Sequence, residues 1–191
     1  MGNVGAVEHA DNSVRQAVAA DADAIAEIQV RGWRAAFATV LPAEALEALA
    51  GEQARKRYAE QWRASATRPP SSHHKVLVAQ SEGTVTGVAA CAPCTDEDCW
   101  PRTDAELLTL AVDPDRRGEG HGSRLLNAAA DLLREDTYQT LVTWAFADDR
   151  TLHRFLESSG WMLDGSRRGL DLGELAAGLA LTQVRLVTRL A

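Results

Sequence analysis

The run Arg116-Arg117-Gly118-Glu119-Gly120-His121-Gly122 has the residue types and spacing to do chemistry. It follows an apolar, strand-like stretch, Leu107 to Val112, and opens a helix-like one, Ser123 to Arg134. Glycines at alternate positions remove side chains where backbone N–H groups point outward at a helix N-terminus. Those free donors and the positive end of the helix dipole make a seat for a phosphate. Arg117 adds a charged fork beside it. Two common phosphate loops do not fit. The G-x-x-x-x-G-K-[ST] loop needs a lysine at the terminal phosphates, and the only lysines are Lys56 and Lys75. The dinucleotide loop G-x-G-x-x-G needs a carboxylate about 20 residues on for the ribose, where this chain has Leu141-Val142-Thr143-Trp144. A pyrophosphate-bearing ligand of another kind is implied.

The elements that must position this loop are readable from pattern. Ser13 to Val18 reads as a strand, and Asp21 as the N-cap of a helix reaching about Ala38. Leu41-Pro42 ends that helix and starts another over 43–66, with Gly51 as a point of division and Leu46, Leu49, Tyr58 and Trp62 as core candidates. Lys75 to Gln80 and Thr84 to Cys91 form a hairpin around Glu82-Gly83. Pro93 to Arg102 is a loop, acidic at Asp96-Glu97-Asp98, and Asp104 to Val112 is the strand that delivers the glycine run. In the helix that follows, Leu125, Leu126, Ala129, Leu132 and Leu133 recur at helical spacing. Gln139 to Phe146 is a strand and Asp149 to Ser158 a helix closed by Gly160. Trp161 to Leu163 and Gln183 to Thr188 pair as a ribbon, around a loop containing Gly165, Gly169, Gly173 and Gly178.

Composition narrows the function classes. The chain has 191 residues, 46% hydrophobic and 25% charged, as a soluble globular domain has. Residues 1–12 lack the basic start and apolar core of a signal peptide and read as a flexible tail; 13–191 read as one domain. No apolar run approaches a bilayer span of roughly 20 residues, so the expected compartment is the cytoplasm. A net charge of −7 argues against nonspecific nucleic-acid binding and against an anionic membrane surface. Cys91-Ala92-Pro93-Cys94 is a lone C-x-x-C with Cys99 following. Zinc sites want four ligands, which His73 or His74 would have to complete; free thiols are the plainer expectation, and no metal is expected.

Arg117-Gly118-Glu119-Gly120-His121-Gly122 resembles the R/Q-x-x-G-x-G/A signature of the GCN5-related N-acetyltransferase (GNAT) superfamily. The strand Ala105 to Val112 followed by Asp113-Pro114 is similar to that family's central strand, which ends in V-x-P. Asp149-Arg150-Thr151-Leu152-His153-Arg154-Phe155-Leu156-Glu157-Ser158-Ser159-Gly160-Trp161 resembles its N-x-x-A-x-x-F-Y-x-x-x-G-F segment without gaps. Ile28 to Leu46 is similar to the helix pair at the start of many bacterial members. The resemblance implies an α/β fold with a mixed, mostly antiparallel sheet of about seven strands and about four helices. It also implies acetyl transfer from acetyl-CoA to an amine, on a small molecule or a protein. Relatives are commonly homodimers, which nothing here specifies. The alternatives are a regulatory protein that binds the coenzyme without turnover, and a transferase of a bulkier acyl group.

The resemblance also implies roles. The loop Arg117, Gly118, Glu119, Gly120, His121, Gly122 and Ser123 would hold the pyrophosphate, and backbone N–H groups along Leu110, Ala111 and Val112 would meet the pantetheine and the thioester oxygen. Asp149 and Phe155 stand at further coenzyme positions, Asp149 replacing an asparagine. Leu156 replaces the tyrosine that often protonates the departing thiolate. Glu106 is the expected base, with His153 and Asp104 in reserve; the bland alternative is that Glu106 pairs with an arginine. Alternation puts Glu106, Leu108 and Leu110 on one strand face and Leu107, Thr109 and Ala111 on the other. Trp33 and Phe37, one helical turn apart, and Trp144 either plug the core or wall the acceptor pocket. His121 reads as a solvent-facing filler, and Arg116 as solvated or aimed at the coenzyme's 3′-phosphate.

Overall fold

The computed structural model describes residues 12–171 and 180–190. The tail expected over 1–12 lies, except for Asn12, outside the described residues, as do Gly173 and Gly178. The apolar runs build one seven-stranded sheet. Its strands are β1 (Asn12–Gln16), β2 (Lys75–Ser81), β3 (Thr84–Pro93), β4 (Asp104–Val112), β5 (Thr140–Phe146), β6 (Met162–Asp171) and β7 (Ala180–Arg189). They lie in the order β1-β2-β3-β4-β5-β7-β6. Every neighbouring pair is antiparallel except β4 and β5. That parallel pair needs a crossover, which the helix after the glycine run supplies.

The helices are α1 (Ala22–Phe37), α2 (Ala43–Ala50), α3 (Glu52–Thr67), α4 (His121–Glu135) and α5 (Arg150–Ser158). Gly51, extended in backbone, divides α2 from α3, and a Cβ there would stand 2.4 Å from the Glu47 carbonyl oxygen. Of the expected core residues Leu46, Leu49, Tyr58 and Trp62, all are only half-buried. Asp21 does not cap α1 with its side chain. Its carboxylate instead accepts from the Val18 N–H at 2.8 Å and from the Arg15 guanidinium at 2.7 and 2.8 Å.

The main core lies between the sheet and α4–α5. Leu125, Leu126, Ala129 and Leu133 of α4 and Leu156 of α5 pack there on Leu77, Ala105, Leu107, Leu141 and Leu186. The other sheet face carries α1 and α3 over Val78 and Val88. Beyond it, Phe37, Leu41 and Ala45 pack with Phe146. The β6–β7 ribbon is longer than its sequence suggested: Gly165 and Gly169, expected in the loop, belong to β6.

Two irregularities in β4 matter for function. Against β3, Cys91 pairs with Leu107 but Ala90 pairs with Thr109, so Leu108 is an extra residue. This bulge reverses the alternation beyond it. Ala105 and Leu107, then Leu110 and Val112, face the α4–α5 core, while Ala111 faces α1 and α3. Glu106 therefore shares a face with Thr109 and Ala111, and not, as simple alternation required, with Leu110. On its other edge β4 pairs with β5 only through Asp104, Glu106 and the residue between them. The Thr143 hydroxyl donates to the Leu107 carbonyl at 2.8 Å and closes the paired part. Beyond it the two strands separate.

Candidate active site

The glycine run is built as a backbone cradle. Gly118 and Gly120 have φ of +84° and +82°, values that strain any residue with a Cβ. Gly120 is the N-cap of α4 and carries no side chain to occupy its own amides. Gly122 serves a different need: its Cβ position lies 3.4 Å from the Phe155 ring and 3.7 Å from Val112, so the start of α4 closes tightly on β4 and α5. Arg117 is exposed and has no partner among the described residues, leaving its guanidinium available to an anion. Arg116 is not: its Nε donates to Glu119 at 2.8 Å. His121, expected to face solvent, is buried. The chain reversal at Gly120 turns it inward, and Nε2 lies 3.2 Å from a Glu119 carboxylate oxygen. A cation that pattern reading missed is Arg124, which donates to the Glu119 carbonyl at 3.0 Å and lies beside Gly120. Its signal is its place one turn into the helix that the glycines open.

The gap between β4 and β5 runs from this cradle to Glu106. The Asp113 N–H donates to the Thr86 carbonyl on the β3 side. Along an antiparallel pair such donors alternate in direction, so the N–H groups of Leu110 and Val112 point the other way, into the gap. The residues Thr109 to Val112 are all half-exposed. The far end of the strand is anchored through Arg31 of α1, which donates to both Asp113 carboxylate oxygens at 2.9 and 2.8 Å and to Asp115 at 2.6 Å.

Glu106 sits at the closed end of the gap, 8% exposed. Burial first, and then the charge of Asp96, push its carboxyl up from the ordinary glutamate value; Arg168 and Arg185 pull down without cancelling this. It makes no ion pair or side-chain hydrogen bond among the described residues, so the arginine-pair alternative does not describe it. Its surroundings are nevertheless highly organised. Trp144 Nε1 donates to Asp96 at 3.0 Å, and the Arg168 guanidinium stacks 4.3 Å above the Trp144 ring. Arg185 donates to Asp96 at 3.0 Å, to Asp164 at 2.6 Å and also to Asp98. Register puts Trp144 opposite Arg185 and Phe146 opposite Gln183, on the face that Glu106 shares through Val142.

Comparison with known proteins converges on one family. Residues 33–161 match the model of the acetyltransferase (GNAT) family. The chain belongs to this family. It is accordingly an acyltransferase. It is 26% identical over 141 residues to the uncharacterised N-acetyltransferase YuaI of Bacillus subtilis (strain 168), covering 73% of this chain and 75% of that one. Among solved structures it is similar in fold to PaiA N-acetyltransferase of Thermoplasma acidophilum in complex with coenzyme A. That match has a TM-score of 0.71 and 16% identity over 93% of this chain and 98% of that one. Salmonella typhimurium yncA, solved with acetyl-CoA, matches with a TM-score of 0.67 and 20% identity over 94% of both chains.

The remaining candidates divide by sheet face. Phe37 is buried against Phe146, ring centroids 5.0 Å apart, and Trp33 stands edge-on to Tyr58 at the same distance. Both join one apolar cluster, whereas Trp144 lies apart, two residues before Phe146 and beside Glu106. On the opposite face, α5 carries His153, far from Glu106 in the topology. Asp149 is the N-cap of α5, accepting from the Leu152 N–H at 2.9 Å. Leu156, at the GNAT tyrosine position, is fully buried core, and Tyr138 is buried against His73. Asp104 is occupied by the Trp100 N–H at 2.8 Å. Among the described residues no helix is long and apolar enough to cross a membrane. The family signature told nothing of Asp96, Asp164, Arg168 and Arg185. Their only sequence signal was the acidic loop and charged residues within otherwise apolar strands.

Proposed function

We propose that this GNAT member is an N-acetyltransferase that moves the acetyl group of acetyl-CoA to a primary amine by direct attack on the thioester, working in the cytoplasm. The observation that carries the reading is the open edge of β4, with a bare-backbone cradle at one end and a buried, unpaired carboxylate at the other. Residues Arg117 to Ser123 would seat the pyrophosphate, with Arg117 and Arg124 supplying positive charge. Phe155, against Gly122, would limit the near wall. The N–H groups of Leu110 and Val112 would pair with pantetheine amides and stabilise the negative charge developing on the thioester oxygen.

Glu106 would take the proton from the incoming ammonium or amine, directly or through one water. A glutamate made more basic by burial suits this task. Attack forms the C–N bond and breaks the C–S bond; the electron pair leaves on sulphur. With Leu156 in place of tyrosine, that donor to the thiolate is missing, and the thiolate's modest pKa would let it leave unaided. Trp144, beside Glu106, would wall the acceptor pocket, with Trp33 and Phe37 supporting that wall from behind. The test is free-thiol release from acetyl-CoA across a panel of amines. Turnover that falls in Glu106→Gln supports the enzyme. Binding of acetyl-CoA without turnover on any amine, small or peptidic, supports the regulatory alternative, and faster turnover with longer acyl-CoAs supports the bulkier donor.

A further inference from the structure

The three cysteines do not group as the sequence pairs them. Cys91 is on β3, buried in the main core. Cys94 and Cys99 instead close on each other across the loop between β3 and β4, where the Cys99 N–H donates to the Asp96 carbonyl at 3.0 Å and the Cys94 N–H to the Asp104 carbonyl at 2.8 Å. This turn gathers the two Sγ atoms and a carboxylate oxygen of Asp96 within 4.8 Å of one another. His73 and His74, the partners considered from sequence, are elsewhere: His73 faces Asp136 and Tyr138, and His74 bonds Ser71.

We propose that Cys94, Asp96 and Cys99 form a zinc site, with solvent as the fourth ligand. Tetrahedral zinc with Zn–S near 2.3 Å and Zn–O near 2.1 Å needs ligand atoms about 3.5–3.8 Å apart, so the loop has to contract by no more than about an ångström to close on the ion. Two soft sulphurs with one carboxylate select zinc over calcium or magnesium. The supporting bonds are already made. Asp96 Oδ2 is held by Trp144 Nε1 and by Arg185, both at 3.0 Å, and Oδ1 has no partner among the described residues. A ligand carboxylate oriented from behind in this way is what metal sites require of their surroundings. Each sulphur also has a donor aimed at it: the Asp96 backbone N–H at Cys94, and the Arg185 guanidinium, 4.0 Å away, at Cys99.

On binding, each thiol releases its proton to solvent, and two thiolates plus the Asp96 carboxylate leave the zinc site one negative charge over, beside Arg185, which also pairs with Asp98 and Asp164. A groove of about 370 Å³, lined by Asp98, Cys99, Asp164 and Arg185 among others, reaches the site at Cys99. Zinc there would fix the loop whose Asp96 acts on Glu106. The proposal stands whether or not acetyl transfer does, since it concerns binding by the resting protein.

The test uses the untagged full-length chain, reduced and stripped by chelator, titrated with zinc chloride against a chromophoric competitor. One zinc per chain with micromolar or tighter affinity is expected, with a rise in thermal midpoint. Cobalt in place of zinc should give sulphur-to-cobalt charge-transfer bands and the intense visible bands of a tetrahedral ion. Cys99→Ser, at a half-exposed position, should keep the fold by circular dichroism, weaken zinc at least about tenfold and remove those bands; Asp96→Asn should weaken binding less, and Cys91→Ala should not. Binding that survives Cys99→Ser unchanged, octahedral cobalt spectra, or no zinc uptake at micromolar metal would overturn the proposal. So would a thiol count showing that Cys94 and Cys99 of the freshly isolated protein are a disulfide.

Discussion

The two ends of β4 solve different problems with different materials. At the C-terminal end, the groups offered to a ligand are backbone N–H donors, exposed, on a loop shaped by two left-handed glycines. At the N-terminal end they are side chains, mostly charged and arranged around the buried Glu106 and Arg185, drawn from β4, β5, β6, β7 and the loop before β4. A backbone cradle tolerates many side-chain changes but not a Cβ where φ is positive. A buried charged cluster tolerates backbone adjustment but not the loss of one partner, because the remaining charges are left unpaired in low dielectric. Under the proposed function, binding falls to one end and proton transfer to the other.

Mutations can break that division if it is wrong. The largest expected effect is on rate: Glu106→Gln should lower kcat by roughly 10²- to 10⁴-fold, the usual range for a lost general base, with acetyl-CoA affinity unchanged. Next comes Gly120→Val, which forces a β-branched residue to φ near +82°. A strain of about 1–3 kcal/mol should weaken acetyl-CoA binding some tenfold to a hundredfold while leaving the rate at saturation nearly intact, read by titration calorimetry and by kcat. Arg117→Ala, removing an exposed cation, should raise the acetyl-CoA Kd by about three- to tenfold, an effect that shrinks in high salt.

A pH profile sharpens the other end. As the proposed base, Glu106 would have to be deprotonated, and its carboxyl is held above the ordinary glutamate value. The acidic limb of kcat/KM should therefore rise with pH through a midpoint above that value, not at it. Replacing Arg185 by Met removes a cation that favours the charged form and frees Asp96, Asp98 and Asp164, so the limb should move to still higher pH. A limb that moves down, or does not move, separates Glu106 from that cluster. Trp144→Phe, which deletes one hydrogen bond to Asp96, should shift it least.

What could be read in the sequence follows the same line. Asp104–Val112, its glycine loop and the helix beyond are local: alternation, glycine spacing and a 3.6-residue apolar repeat lie within one stretch of chain, and their bounds agree with the folded elements to within two residues. The bulge at Leu108 was not legible, because it depends on where β3 pairs, and one unpaired residue was enough to move Leu110 off the Glu106 face and Thr109 and Ala111 onto it. His121 was misplaced for the same reason on a smaller scale, a single left-handed residue turning it inward. The Arg185 cluster joins Asp96, Asp98 and Asp164 to a residue as many as 89 positions away, and no short-range pattern encodes that pairing. Cys91-x-x-Cys94 looked like a unit only because strand alternation and the turn at Asp96 are invisible in spacing.

The most direct measurement is single-turnover acetyl transfer by Glu106→Gln at saturating acetyl-CoA and a reactive amine, with acetyl-CoA affinity measured in parallel. Division of labour along β4 predicts affinity within about twofold of the unaltered chain and a rate lower by roughly 10² or more. An unchanged rate would remove Glu106 from the chemistry, and a collapse of affinity would mean that the two ends of β4 form one binding site rather than two sites with separate tasks.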